Sequence, residues 1–166
     1  MLASNYRIGN GIDVHPLVKD KKLILGGVDL NHCYGCDGHS DGDVLVHSII
    51  DSILGALNKG DIGSHFPSSD KSYKNISSMD LLSKIIKKYN FTIINIDSTI
   101  ILQEPVVQPY IQDMKNKLLN SFRENSLSKS LDQNISIKAT TTDHLGFIGD
   151  KKGVAAITTC LLLKND

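Results

Sequence analysis

Four short blocks of the chain carry residue types able to do chemistry. The first is Asp13-Val-His15. Side chains alternate along a strand, so Asp13 and His15 face the same side and can present an oxygen and a nitrogen to one ion. Pro16 is expected to end that strand, placing the pair at a sheet rim. The second block runs from His39 and Ser40 into Asp41-Gly-Asp-Val and on to His47. It delivers two polar side chains to a helix start, where free amides and the helix dipole favour an anion such as a phosphate. Asp43 and Asp51 lie four residues either side of His47, so one of them is expected to hold the second imidazole nitrogen. Asp13, His15 and His47 then form a candidate zinc site with an open fourth position, as in catalytic rather than structural zinc. A solvated rim pair and a satisfied core histidine are the bland alternatives.

The third block, Asp61-Ile-Gly-Ser-His-Phe-Pro67, is a polar loop in which Gly63 permits close backbone approach to a ligand. The fourth, Lys138-Ala-Thr-Thr-Thr-Asp143 with Leu145-Gly-Phe147, supplies hydroxyl donors and a carboxylate suited to a hard cation such as Mg²⁺. Alone, each reads equally as a connection or a helix cap. His32, Cys33, Cys36 and His39 imitate half of a zinc knuckle, but so short a span leaves little room for a folded unit.

These blocks need elements to position them. Residues 7–15 read as a strand, Lys22 to Leu25 and Val28 to Leu30 as a hairpin, and 32–41 as a loop. Val46, Ile49, Ile50, Ile53, Leu54 and Leu57 recur at helical spacing, with Asp41 as the expected N-cap and a stop near Asn58. A second helix spans Ser78 to Tyr89, and a long strand spans Phe91 to Gln103 with Ile94, Ile96, Ile100 and Leu102 inward. A third helix covers Tyr110 to Glu124, and Ser126 to Gln133 is a connector. Strands at 134–140 and 153–163 flank a loop containing a helical turn. Helices interleaved with strands predict an α/β (α+β) chain: one domain over residues 1–166, with helices on one face of a mixed sheet.

Composition narrows the function. The 166 residues are 40% hydrophobic and 22% charged, within the globular range. Lys plus Arg equals Asp plus Glu at 18 each, which argues against a phosphate-neutralising nucleic-acid binder. No apolar run is long enough for a bilayer. A cytoplasmic location is expected, or a plastid one if a leader has been removed. Three cysteines make no disulfide framework, and Cys160 is expected in the core.

Taken in order, the blocks Gly9-Asn-Gly-Ile-Asp-Val-His15, His39-Ser-Asp-Gly-Asp43 with His47, Gly60-Asp-Ile-Gly63, Phe66-Pro67, Gln103 with Pro105, and Lys138 to Thr142 with Leu145-Gly-Phe147 resemble the 2-C-methyl-D-erythritol 2,4-cyclodiphosphate synthase family. The resemblance spans residues 6–163. It implies a homotrimer of ferredoxin-like subunits with active sites between neighbours, acting in non-mevalonate isoprenoid synthesis. The implied substrate is 4-diphosphocytidyl-2-C-methyl-D-erythritol 2-phosphate. It implies zinc on Asp13, His15 and His47, with transition-state stabilisation by His39 and Thr141. Asp13, His15, His39, Ser40, Asp61, Ile62, Gly63, Phe66, Pro67, Ser68, Ser69 and Asp70 would hold the methylerythritol diphosphate part. Leu102, Gln103, Glu104, Pro105, Val106, Val107 and Gln108, together with Thr140, Thr141, Thr142 and Asp143, all from the adjacent subunit, would hold the cytidine part, and Phe147 would also bind substrate. Asp143 would meet the second ion, Mg²⁺ or Mn²⁺.

The residue types suit that chemistry. A 2-phosphate attacking the β-phosphorus of its own diphosphate needs positioning and charge neutralisation rather than a protein nucleophile. Competing readings are a zinc-dependent phosphodiesterase and a non-catalytic, metal-stabilised binding protein. The chain departs from the family where Asp143 replaces a common Glu and Val106 a common Lys. Asp150 and Lys152 reverse a common Arg and Glu near the trimer axis, where an ion pair between subunits is expected to persist.

Overall fold

The computed structural model describes residues 5–38, 40–73, 76–124 and 134–165. His39 and the connector expected over 126–133 lie outside the described residues. A sheet of order β4-β1-β7-β5-β6 is built from β1 (Tyr6–Lys19), β4 (Tyr34–Cys36), β5 (Phe91–Ile101), β6 (Ile135–Thr140) and β7 (Gly153–Lys164). Only β5 and β6 run parallel, so the sheet is mixed. Strands β2 (Ile24–Leu25) and β3 (Val28–Asp29) form a separate hairpin. The helices are α1 (Val44–Leu57), α2 (Ile62–His65), α3 (Ser78–Lys88), α4 (Ile111–Glu124) and α5 (Gly146–Gly149). This is the expected α+β, ferredoxin-like arrangement.

Helix α1 lies across the sheet because β1 presents glycine where the helix crosses. The odd-numbered residues of β1 face α1. A Cβ on Gly9 would stand 1.8 Å from the Ser52 carbonyl oxygen, and one on Gly11 would stand 2.1 Å from that of Ser48. The apolar side of α1, including Ile49, Ile50, Ile53 and Leu54, is fully buried among β5, β7, α3 and α4. Three buried hydroxyls close the polar gap between helix and sheet: Thr158 Oγ1 lies 2.7 Å from Ser48 Oγ and 2.8 Å from Ser98 Oγ. The opposite sheet face leaves Tyr6, Ile8, Ile12, Val14 and Ile157 exposed.

Several expected boundaries move. β1 does not stop at Pro16 but continues to Lys19. Pro16 sits where the strand passes from pairing with β7 to pairing with β4, and its carbonyl still accepts the Asp37 N–H at 3.0 Å. The loop expected over 32–41 contains β4, a three-residue strand too short for periodicity to announce. Asp43, not Asp41, caps α1, accepting the Val46 N–H. The polar loop after α1 contains α2, capped by Asp61. In β5 a register shift between Ile93 and Asn95 puts Phe91 and Ile93 on the buried face with Ile96, Ser98 and Ile100, and leaves Ile94 only half-buried.

Candidate active site

Because β1 and α1 run in opposite directions, the glycine contacts place the first turns of α1 over the end of β1. His47 of α1 thereby meets Asp13 and His15. His47 Nδ1 lies 2.9 Å and His15 Nε2 3.1 Å from the same Asp13 oxygen, Oδ2. One ligand atom from each of the three residues lies within 4.8 Å of the other two. Burial alone would raise the Asp13 carboxyl, but hydrogen bonds from His15 and His47 outweigh it and hold the group well below the usual carboxylate range. The hydrogen bond to Asp13 raises the His15 imidazole above its ordinary value, against the opposing effect of burial. His15 Nδ1 faces the Asp37 carbonyl at 2.9 Å. A carbonyl only accepts, so Nδ1 keeps its hydrogen, and Nε2, which donates to Asp13 in the metal-free site, is the nitrogen that would exchange its proton for a metal ion. Two imidazole nitrogens and a carboxylate oxygen converging in this way can hold a metal ion.

The second nitrogen of His47 does not meet Asp43 or Asp51. Asp43 is fully buried and accepts three backbone N–H groups, from Gly26 at 2.9 Å, Gly27 at 2.7 Å and Val46 at 3.1 Å. Asp51 accepts the Ile62 N–H at 2.7 Å. Both carboxylates are spent on backbone amides that the helix pattern could not reveal. His47 Nε2 instead faces Ser78 Oγ at 2.9 Å and Ser40 Oγ at 3.1 Å. Sequence reasoning saw Ser78 only as part of a helix start. Ser77 takes the capping role, accepting the Met79 N–H, which turns Ser78 inward.

A cavity of about 140 Å³ opens beside this cluster. His15, Ser40 and His47 line it together with Ile62, Gly63, Phe66 and Ser68. Tyr73 and Leu81 also line it; neither lies in a block that carried a chemical signal. Pro67, Ser69 and Asp70 do not line this cavity; the Pro67 carbonyl accepts the Asp70 N–H, and Asp70 accepts the Ser72 N–H, forming a turn beside it. Asp61 is exposed, and its Oδ1 accepts both the backbone N–H and the hydroxyl of Ser64, each at 2.7 Å.

The remaining residues gather elsewhere. Leu102, Gln103, Pro105, Val106, Val107 and Gln108 line a second cavity of about 170 Å³ with Ala139, Thr140 and Thr141. Glu104 turns away from it to pair with Lys151 at 2.8 Å. Thr141 Oγ1 accepts the Asp143 N–H, Thr142 Oγ donates to the Leu145 carbonyl, and Phe147 is exposed. Asp150 and Lys152 pair within one chain at 3.0 Å. The two cavities share no lining residue.

Cys33 is exposed, while Cys36 is buried, and burial pushes its thiol up to about 12, unlike a reactive or metal-ready thiolate. No helix among the described residues is long and apolar enough to cross a membrane.

Known proteins resemble this chain in sequence and in fold. A Clostridioides difficile (strain 630) protein named 2-C-methyl-D-erythritol 2,4-cyclodiphosphate synthase is 51% identical over 160 residues, which is 95% of this chain and 96% of that one. A Fusobacterium nucleatum protein of the same name is 47% identical over 161 residues, covering 95% of this chain and 97% of that one. Among solved structures, the bifunctional IspDF of Campylobacter jejuni superimposes with a TM-score of 0.87 at 39% identity. It covers 97% of this chain, while this chain spans 43% of the bifunctional one. A Plasmodium falciparum IspF solved as a CDP complex superimposes with a TM-score of 0.77 at 33% identity, covering 97% of each chain. The YgbB family matches residues 6–163, a span that contains both cavities and the Asp13–His15–His47 cluster. On that match this chain belongs to the YgbB family, to which its half-identical relatives, the named 2-C-methyl-D-erythritol 2,4-cyclodiphosphate synthases, relate it.

Proposed function

We propose that this enzyme converts 4-diphosphocytidyl-2-C-methyl-D-erythritol 2-phosphate to 2-C-methyl-D-erythritol 2,4-cyclodiphosphate and CMP, as a phosphorus–oxygen lyase. An oxygen of the 2-phosphate attacks the β-phosphorus, the bond from that phosphorus to the bridging oxygen breaks, and CMP leaves with that oxygen. The carrying observation is the pair of cavities. At about 140 and 170 Å³, each is smaller than the roughly 300 Å³ at which small-molecule sites begin. One holds the ion-ligating cluster and a glycine-containing loop; the other holds the threonine run and the proline loop. A nucleoside diphosphate sugar-alcohol needs both, and two copies of the chain would supply them side by side. The exposed apolar sheet face of Ile8, Ile12, Val14 and Ile157 supports a homotrimer, since faces of that kind mark association surfaces.

In this reading Asp13, His15 and His47 hold Zn²⁺, which when bound supplies charge neutralisation at phosphate oxygens. Ser40, Gly63 and Ser68 orient the diphosphate through hydroxyl and amide donors. Thr141 of the neighbouring copy and His39 stabilise the developing charge. Asp143 offers one carboxylate to Mg²⁺ or Mn²⁺, whose other ligands would be substrate phosphates and water, a usual arrangement for magnesium. No protein nucleophile is required. Incubation with the cytidylyl substrate, followed by phosphorus NMR and CMP release, tests the assignment. A cyclic diphosphate is expected. A linear diphosphate would establish a phosphodiesterase, and absence of turnover with tight binding would establish a binding protein.

A further inference from the structure

We infer that Ser78 and Asp41 are positioning residues that fix the hydrogen of His47 on Nε2 and so aim its Nδ1 lone pair at the metal centre. This rests on the metal-centre reading above. The direction of every bond in the relay follows from its far end. A carboxylate only accepts. Asp41 Oδ2 accepts the Ser78 backbone N–H at 3.1 Å, and Asp41 Oδ1 accepts the Ser78 hydroxyl. The single hydroxyl proton of Ser78 is thereby committed. Toward His47 Nε2, 2.9 Å away, Ser78 Oγ has lone pairs alone to offer. Nε2 must therefore be the N–H of the imidazole. A metal-bound imidazole keeps one N–H, so Nδ1 is the ligand nitrogen, and Nδ1 is the atom facing Asp13. The Asp37 carbonyl does the same for His15 from the opposite ring nitrogen.

The relay is also rigid. Ser78 is fully buried at the start of α3, while Asp41 precedes α1, so the two bonds join the starts of two packed helices. Ser40 Oγ reaches the same His47 nitrogen at 3.1 Å, but its other partners are the Gly42 N–H and Ser78 Oγ. Neither of these fixes the direction of its hydroxyl. Ser40 can share the Nε2 hydrogen without specifying where it sits.

Asp41→Asn separates direction from shape. Each Asp41 oxygen faces one backbone donor, the Ser78 N–H at 3.1 Å on Oδ2 and the Asp43 N–H at 3.4 Å on Oδ1. The shorter bond favours the amide oxygen facing the Ser78 N–H, which turns the amide NH₂ toward Ser78 Oγ. The hydroxyl then reverses and donates to His47 Nε2, which moves the ring hydrogen to Nδ1, where the ion should sit. Loss of such supporting partners typically costs about 10- to 100-fold in metal affinity. We expect Asp41→Asn and Ser78→Ala each to weaken Zn²⁺ binding by that factor, measured by competition with a chromophoric chelator. The visible spectrum of the Co²⁺-loaded variants should also change, because the ligand field at the ion changes. Melting of the metal-free proteins measures separately what the lost α3 contacts cost the fold. If the parent binds one equivalent of Zn²⁺ and both variants bind equally well, the relay is overturned while the metal centre stands. If Ser78→Ala is weakened but the isosteric Asp41→Asn is not, the relay is likewise overturned. If the parent binds no Zn²⁺, the metal centre falls and the relay with it.

Discussion

Gly11 lies directly beneath Ser48. A Cβ there would stand 2.1 Å from the Ser48 carbonyl oxygen and 2.7 Å from the Ser52 nitrogen, both backbone atoms of α1. Backbone cannot step aside as a flexible side chain can, so this absence of a side chain sets the distance between β1 and α1. The same distance brings His47 to Asp13 two residues further along the strand.

Gly11→Ala is therefore expected to push α1 off the sheet and to damage the fold and the ion site together. Overpacking of this kind costs about 1–3 kcal/mol and occasionally more, and contact with rigid backbone favours the upper end. Urea denaturation of the metal-free protein should show the loss, and Zn²⁺ affinity should fall with it. Parent-like stability with parent-like affinity would show that the helix does not depend on this contact.

Asp43 ties the turn between β2 and β3 to the start of α1 by accepting from Gly26, Gly27 and Val46. Asn at this position can present one oxygen, toward Gly26 and Val46, and must then turn its NH₂ toward the Gly27 N–H. Two donors facing one another in a buried site cost about 1–3 kcal/mol. Asp43→Asn should lose that much in chemical denaturation, and Asp43→Ala more, because it abandons all three amides. An Asn variant as stable as the parent would mean that solvent reaches the turn.

How far the sequence foretold this site depends on which physical signal each residue leaves. Asp13 and His15 were legible because strand alternation alone puts them on one side. His47 was legible because a helix started nearby and the apolar stripe fixed its phase. Asp43 was misread as a partner for His47, since periodicity reports which stripe a carboxylate shares but not the backbone amides that compete for it. Ser78 left no signal: hydroxyls are common at helix starts, and its role comes from a 37-residue separation from Asp41 that only the packed fold closes. The shift in β5 was invisible for the same reason. Ile93 and Ile94 are chemically equivalent, and pairing with β7 decides which one turns inward.

Metal-free protein should show a pH dependence set by the pair at the centre of the site. Asp13 has a depressed folded pKa, so its contribution is present above the unfolded carboxylate value of about 4 and lost as pH falls. His15 has a raised folded pKa, so its contribution is complete below the unfolded imidazole value of about 6.5 and lost as pH rises through the folded value. The pair thus stabilises most between about pH 4 and 6.5. The stability difference between parent and His15→Gln, both stripped of metal, should shrink between pH 5.5 and pH 8.5. A difference that stays constant over that interval would show that Asp13 does not hold the His15 proton in place.

The separation of the two cavities permits a test of whether one site is built from two chains. His47→Ala destroys the ion-binding half and leaves the threonine half intact; Thr141→Ala does the reverse. In the proposed trimer, every site of either variant alone would lack one half, so each variant should be almost inactive. Mixed subunits behave differently if each site takes its ion cluster from one copy and its threonine run from the neighbour. A site works when a Thr141→Ala chain supplies the cluster and a His47→Ala chain supplies the threonine. Any mixed cyclic trimer, two of one chain and one of the other, contains one such junction among its three sites, so once unmixed trimers are removed about a third of parent activity should return. Co-expression of two differently tagged chains, followed by sequential purification and the CMP-release assay, measures it. A site contained within one chain would regain nothing on mixing, because every chain would still carry a disabled half.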